Sequence, residues 1–287
     1  MKNIAFILGS PRDGKNTHSF LSSIEEGARA EGATTKTIKL YDFPSYYGCR
    51  SCFVCKRGTH LETCVLKDDL LPVLKELTEC DTLVFGSPIF LGDVTSGMRA
   101  FMERLIYPHV SYESPYKPKP INTLFVYTMN RSLESAKKSG YKVTFQKNKD
   151  FLERVYDTSD YIVVPETAQW DYSLYPCSRF NGDEREDWLK NVFPALRELF
   201  KLVGRNLVSN RQHLAESSLK EMSSIMSVNV SGGNGETRQK PILHIATSGI
   251  CAGGTATLTY EQEKTLLLTT SEGKADCQFK GTAASEP

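Results

Sequence analysis

Four of the eight cysteines fall within one short stretch of the chain. Cys49, Cys52 and Cys55 are each separated by two residues, and Cys64 follows after eight more. Thiolates spaced by two residues on a turn converge on a metal, and four of them complete the ligand shell of a [4Fe–4S] cluster. A single zinc ion is an alternative, although two separated C-x-x-C pairs would suit it better. The remaining alternative is that these cysteines pack, or act as redox thiols, without any metal.

A second stretch whose residues could bind a ligand is the polar loop 9–17, which follows a short apolar run. Backbone N–H groups at a helix start, helped by the side chains of Ser10, Asn16 and Thr17, are suited to hold a phosphate. Arg12 adds positive charge. The loop nearly matches the GxxxxGK[ST] motif of nucleoside triphosphatases, but Asn16 stands where that motif has a magnesium-binding hydroxyl. We therefore expect a phosphate site of another kind, with an ordinary polar turn as the alternative.

A third stretch, 85–94, follows a later apolar run and is itself apolar. A flat heterocyclic ring needs apolar surface on one face and backbone groups near its polar edge. Pro88, Ile89 and Phe90 supply apolar surface, and Gly92 permits a close approach of the backbone. Thr128 ends another apolar run and is a candidate contact on the same edge. The alternative is a hydrophobic loop that closes over the core.

The elements that would position these stretches are short apolar runs alternating with helical patterns. Strands are predicted at 3–8, 34–41, 82–85, 122–127 and 161–164. Helices are predicted at 18–30 (with Thr17 as N-cap), 68–79, 95–106, 151–158 and 182–208. This alternation predicts an α/β, flavodoxin-like doubly wound five-stranded parallel sheet in the order 2-1-3-4-5. Because the loops after parallel strands meet at one edge, residues 9–17, 48–64, 86–93 and 128–131 should gather there.

Composition narrows the classes of partner. The chain has 287 residues, 40% hydrophobic, with a formal net charge of +1, so we expect no nucleic-acid partner. No apolar run approaches the length of a membrane span, so we expect no membrane partner.

The sequence predicts two parts, a domain at 1–208 and a C-terminal appendage at 209–287. The appendage is expected to be poorly defined and partly disordered, and 241–247 and 255–270 could form a hairpin in it. The absence of a secretion signal predicts a cytoplasmic location.

Three stretches in order resemble the NADPH-dependent FMN reductase-like flavoproteins: Gly-Ser-Pro-Arg-x-Gly-x-Asn-Thr at 9–17, Cys-Val-Leu-Lys-Asp-Asp at 64–69, and Gly-Ser-Pro-Ile-Phe at 86–90 with the helix 97–104. The resemblance covers about residues 1–205. It implies an FMN phosphate on Ser10, Arg12, Asn16 and Thr17, and an isoalloxazine ring against Pro88, Ile89, Phe90 and Gly92. Asp93 departs from the family, which often has Asn there, and this changes a donor into an acceptor close to the ring.

The cysteine stretch is similar to that of iron–sulfur flavoproteins, a branch of the same superfamily. The resemblance implies an NAD(P)H-dependent FMN oxidoreductase that passes electrons to flavin, quinone or another small acceptor, and it implies a homo-oligomer. One alternative is an electron-transfer protein, with FMN and with or without a [4Fe–4S] cluster, that acts between protein partners. Another is an NTPase or sensory module without flavin. Since a flavin carries its own redox chemistry, no catalytic acid or base is assigned to the protein.

Overall fold

The structure, a computed structural model, describes residues 1–57, 64–110, 119–170, 174, 186, 189–190 and 193–209, and the backbone of 242–247, 255–261 and 265–270. The strands are β1 (Asn3–Leu8), β2 (Thr34–Lys39), β3 (Thr82–Phe90), β4 (Asp93–Val94), β5 (Asn122–Thr128), β6 (Thr158–Val164), β7 (Ile242–Thr247), β8 (Thr255–Glu261) and β9 (Thr265–Thr270). The helices are α1 (Asn16–Ala30), α2 (Leu70–Leu77), α3 (Ser96–Ile106), α4 (Leu133–Lys138), α5 (Tyr141–Val155) and α6 (Phe193–Val208).

The sheet confirms the predicted fold. Strands β2, β1, β3, β5 and β6 lie side by side in that order, and every neighbouring pair among them is parallel. This is the doubly wound order 2-1-3-4-5, because the two-residue strand β4 only pairs back onto β3. Strands β7, β8 and β9 continue the sheet beyond β6 as antiparallel neighbours. The boundary at 208/209 stays a prediction.

Helices cover both faces of the sheet, as a parallel sheet requires. On one face α1 and α6 pack against the strands, and Phe20 stacks on Phe200 with ring centroids 4.9 Å apart. On the other face α2, α3 and α5 cover a stack of Phe85, Phe125 and Tyr127, in which the last two rings lie 4.2 Å apart. Within the described ranges, no helix is both long and apolar enough to cross a lipid bilayer.

The predicted end of β3 at residue 85 is wrong. The strand continues to Phe90, and Pro88 pairs with Thr128 of β5. Proline is tolerated because β1 ends opposite Gly86, so the strand has only one parallel neighbour from that point onward. The predicted ring-contacting residues 88–90 are therefore held by a strand and not by a free loop.

The starts of α1 and α5 also differ from prediction. Helix α1 begins at Asn16, and its N-cap is Lys15, so Thr17 lies inside the first turn and does not cap it. Helix α5 runs from Tyr141 to Val155, ten residues earlier than the predicted start at 151. Its buried face includes the polar Asn148, and this weakens the apolar periodicity that would have revealed it. Much of the predicted helix at 182–208 before Phe193 lies outside the described residues.

Candidate functional site

The loops after β1, β3 and β5 meet at the carboxyl edge of the sheet. The N–H of Gly9 donates to the carbonyl of Gly86 at 2.8 Å. The hydroxyl of Thr95, at the N-cap of α3, donates to the carbonyl of Gly9 at 2.7 Å. A Cβ atom at Gly9 would overlap the side chain of Met98, and one at Gly86 would overlap that of Leu21, so both glycines leave room for packed side chains. The predicted phosphate loop and the predicted ring-contacting segment are therefore adjacent.

The phosphate loop leads directly into the start of α1. Lys15 occupies the N-cap, and its side chain makes no capping hydrogen bond. The N–H groups of a first helical turn have no partner within the helix, and the helix dipole makes this end positive. Ser10 is buried, and its hydroxyl accepts from the N–H of Arg12 at 3.2 Å. A helix start of this kind is suited to hold a phosphate.

Two predicted phosphate ligands have protein partners in this structure. Arg12 donates from Nη1 to the carbonyl of Gln169, and Asn16 donates from Nδ2 to the carbonyl of Ala168, each at 2.7 Å. Both side chains thereby tie the segment after β6 to the phosphate loop. Their contact with a phosphate stays a prediction, and so do the roles of Ser10 and Thr17.

The ring-contacting segment is the β3–β4 hairpin. Leu91 and Gly92 form its two-residue turn with φ of 53° and 89°, the positive pair of a type I′ turn. Phe90 is 44% exposed beside it, and Ile89 is half-buried. The hydroxyl of Thr144 donates to the carbonyl of Gly92 at 3.2 Å and fixes the turn against α5. The hairpin thus offers an apolar strand end on an anchored backbone.

Asp93 is anchored by a network that the sequence did not reveal. Its carboxylate accepts from Arg99 Nη2 at 2.6 Å and from the N–H of Val94 at 2.7 Å. Arg99 also donates to the side chain of Asn148 at 3.1 Å, and Asn148 donates to the hydroxyl of the fully buried Tyr127 at 3.1 Å. Burial raises the pKa of Tyr127, so the phenol stays protonated. In the sequence, only the short separation of Asp93 and Arg99 could have indicated this network, and nothing indicated that Asn148 belongs to it.

The four clustered cysteines line one pocket of about 80 Å³. Phe53, Arg104 and Tyr107 are among the other residues of its wall. All four thiols are free, Cys52 is exposed, and the other three are partly buried. Burial raises the pKa of Cys55, and the three neighbouring cysteines act in the same direction while Lys56 opposes them. The tertiary structure therefore brings Cys64 to the first three across the sequence gap.

The cysteine loop is pinned to the carboxyl end of α3. The N–H of Cys49 donates to Glu103 Oε2 at 3.0 Å. Lys56 Nζ donates to the carbonyls of Tyr107, Pro108 and Val110, and it lies 4.7 Å from the centre of the Tyr107 ring. Burial lowers the pKa of Lys56, although the nearby thiols oppose this. Carbonyls at a helix end are favourable partners for such a cation.

Arg104 is the largest charged side chain buried in the described part of the chain. Its guanidinium binds the carboxylate of Asp68 through two nitrogens. Burial acts to lower the pKa of Arg104, but hydrogen bonding to Asp68 and Cys64 outweighs it, and the net shift is upward. Both residues lie in the stretches quoted for the family resemblance, yet sequence reasoning assigned neither a role.

A second cavity, of about 440 Å³, lies beside the phosphate loop. Lys15 and Asn16 form part of its wall, together with Trp170 and Phe193. Trp170 lies half-exposed at this cavity.

The first 141 residues carry the three meeting loops and all four clustered cysteines. Residues 2–141 match the sequence model of the family described as NADPH-dependent FMN reductase. These 140 residues, just under half of the chain, are similar to that family. This FMN reductase-like region contains every candidate ligand predicted from the sequence, while β6, α6 and the antiparallel strands lie beyond it.

Two curated relatives of the FMN reductase-like region carry the name iron-sulfur flavoprotein. The protein from Archaeoglobus fulgidus is 34% identical over 104 residues, which make up 36% of this chain and 48% of that protein. The protein from Methanocaldococcus jannaschii is 32% identical over 98 residues, or 34% of this chain and 49% of that protein. The chain therefore spans about half the length of the curated relatives it matches.

A solved structure extends the likeness beyond the FMN reductase-like region. The NAD(P)H:quinone oxidoreductase from Methanothermobacter marburgensis superposes with a TM-score of 0.57 at 13% identity. The superposition covers 74% of this chain and 98% of that one. At this identity the likeness shows the fold alone, and it includes elements after residue 141.

Proposed function

We propose that this protein is an FMN-dependent oxidoreductase that takes electrons from NAD(P)H and passes them to flavin, quinone or another small acceptor. The observation that carries the proposal is the 2.8 Å hydrogen bond between Gly9 and Gly86, which joins the phosphate loop to the hairpin. FMN needs both features at once, since it has an anionic tail and a planar ring. Bound there, FMN would supply hydride and one-electron chemistry.

The residues present fit FMN. The uncapped start of α1, with Ser10 and Thr17, offers donors to a phosphate. Pro88, Ile89 and Phe90 offer apolar surface to the ring, and Gly92 and Thr128 border the same edge. Asp93 would lie at the rim of the ring, held in place by Arg99. These contacts orient the ring and exclude water from one of its faces.

We further propose that Cys49, Cys52, Cys55 and Cys64 hold a [4Fe–4S] cluster, which would supply one-electron transfer next to the flavin. The fit rests on the single pocket that all four thiols line. The described residues contain no set of three or more His, Cys, Asp or Glu placed to hold one metal ion. Since Zn–S bonds are only about 2.3 Å long, a single zinc needs its thiolates closer together than a four-iron cluster does. The names of the two curated relatives support the cluster as well.

The second candidate function is electron transfer between protein partners, and one surface favours it. Phe53 is 48% exposed beside the exposed Cys52, and Tyr47 and Val54 are exposed nearby. An apolar patch around a redox centre is suited to brief contact with a redox protein. Under either function we expect a homo-oligomer in the cytoplasm, where free thiols persist.

The deciding experiment is an absorption spectrum of the purified protein, followed by anaerobic reduction with NADPH. A bound flavin gives its usual two bands, and a cluster adds a broad visible shoulder that dithionite bleaches. Rapid bleaching of the flavin bands by NADPH supports the oxidoreductase. Bleaching by dithionite but not by NADPH or NADH supports the electron carrier. A colourless protein, prepared with ample riboflavin, would contradict both.

A further inference from the structure

The guanidinium of Arg104 closes the cysteine segment at both of its ends. Nη1 donates to the carbonyl of Tyr47 at 3.3 Å, two residues before Cys49. Nη2 donates to the carbonyl of Leu66 at 3.1 Å, two residues after Cys64. The same two nitrogens bind the carboxylate of Asp68. A side chain from α3 thus fixes where the four-cysteine segment begins and where it ends.

One donor of Arg104 is left over at the cysteine pocket. The residue is 1% exposed, and its Nε atom has no hydrogen-bond partner of ordinary geometry among the described residues. The guanidinium nevertheless lies close to Cys64, and hydrogen bonding to this thiol contributes to the raised pKa of Arg104. A buried donor on a charged group is costly when it is unpaired, so this position is suited to an acceptor of high electron density. A thiolate bound to iron is such an acceptor.

We propose that Arg104 is a positioning residue that donates its Nε–H to the sulfur of Cys64, holds it as the fourth cluster ligand and raises the reduction potential of the cluster. The inference rests on the iron–sulfur part of the proposed function. A cubane with four thiolates has a formal charge of −2, and one-electron reduction brings it to −3 without breaking a bond. A donated N–H and a nearby cation favour the more negative state.

Asp68 acts in the opposite direction. Its carboxylate is paired with the guanidinium and neutralises much of the guanidinium charge. Removing the Asp68 charge should therefore leave the cation less compensated and favour the reduced cluster further. Removing both charges should favour the oxidised cluster, because the N–H donor is lost as well. A merely structural ion pair would not give shifts of opposite sign.

The test uses the full chain, purified anaerobically with FMN and iron, as wild type, Asp68→Asn and the double variant Arg104→Gln/Asp68→Asn. The double variant is preferred to Arg104→Gln alone, since that change would bury an unpaired carboxylate and endanger folding. Asp81→Asn is the matched control, because Asp81 is bonded to Lys119 at 2.9 Å at the opposite edge of the sheet. Iron and sulfide are measured per FMN, midpoint potentials by EPR-monitored titration, and iron loss by transfer to a chelator.

We expect Asp68→Asn to shift the reduction equilibrium at least threefold toward the reduced cluster. We expect the double variant to shift it about tenfold toward the oxidised cluster, which is about 59 mV for one electron. It should also lose iron at least tenfold faster, with FMN retained. If the wild type contains iron, shifts of the same sign in the two variants, or shifts below twofold, would overturn the role of Arg104 but not the proposed cluster. A wild type that binds FMN but no iron would overturn both this inference and the proposed cluster.

Discussion

The hydroxyl oxygens of Thr17 and Thr128 lie 2.7 Å apart, and both side chains are buried. The contact joins the first turn of α1 to the last residue of β5, across 111 positions of sequence. Thr128 is also the register partner of Pro88. This one hydrogen bond therefore connects the predicted phosphate site to the strand ends that would border the ring.

The threonine pair can be tested by a double-mutant cycle. Each of Thr17→Val and Thr128→Val leaves the other hydroxyl buried without its partner, which should cost about 1–3 kcal/mol of unfolding free energy. The double variant should cost less than the sum, since it leaves no orphan. Thr17→Val should also weaken FMN binding about tenfold by removing a phosphate donor, and Thr128→Val should weaken it less. Urea unfolding and fluorescence titration with FMN measure the two effects, and strict additivity would argue against the contact.

Gly14 and Gly32 provide a matched pair for the phosphate loop. Both have positive φ, 66° and 82°, and a Cβ atom would meet nothing within 4 Å at either position. Each change to Ala should therefore cost about 1–2 kcal/mol through backbone strain alone. Gly14→Ala should also distort the loop and raise the FMN dissociation constant roughly tenfold, whereas Gly32→Ala, on the turn between α1 and β2, should not. Equal FMN affinities in the two variants would place the phosphate elsewhere.

Asp93→Asn tests the predicted contact with the ring. The ion pair with Arg99 is partly exposed, so its loss should cost about 0–1 kcal/mol of stability. Removing a negative charge at the rim should make the flavin easier to reduce and raise its midpoint potential. Asp150→Asn, on the exposed face of α5, is the control. An unchanged flavin potential in Asp93→Asn would mean that the carboxylate does not face the ring.

Cys52→Ala tests the cluster directly. The variant should lose iron and the visible shoulder but keep FMN, because Cys52 belongs to the cysteine pocket and not to the loops that meet at Gly9. Cys80→Ala is the matched control, since Cys80 is also a free, partly buried thiol but does not line that pocket. Iron analysis and spectra of both variants measure the difference. Full iron content in Cys52→Ala would count against the [4Fe–4S] assignment.

Cys80 also predicts a dependence of stability on alkaline pH. Burial raises the pKa of its thiol from 9.0 to about 11, with Glu76 acting in the same direction. Between these values the unfolded chain releases the proton while the folded protein keeps it, so stability falls as pH rises from about 9 to about 11. Cys80→Ala should reduce this fall without changing the behaviour below pH 8. Urea midpoints at pH 8, 9.5 and 11 check it, and identical curves for wild type and variant would refute it.

Local pattern predicted much of the fold. The strand order followed from five apolar runs alternating with helices, and the meeting of loops 9–17 and 86–93 followed from the topology of any parallel sheet. Local pattern was wrong about where β3 ends, because Gly86-Ser87-Pro88 is a turn signal by composition. The strand continues only because β5 supplies a partner opposite Pro88. The start of α5 was wrong for a related reason, since Asn148 is buried by bonds to Tyr127 and Arg99.

The sequence alone determined which chemical groups are present: four closely spaced thiols, a phosphate-type loop and an apolar strand end. It also determined that all of them lie at one edge of a parallel sheet. Only the tertiary structure decided which of these groups are engaged. Arg12 and Asn16 bind carbonyls more than 150 residues away, and Arg104 spans both ends of the cysteine segment. Such bonds depend on the distance between side chains after folding, and residue type and spacing along the chain do not specify that distance.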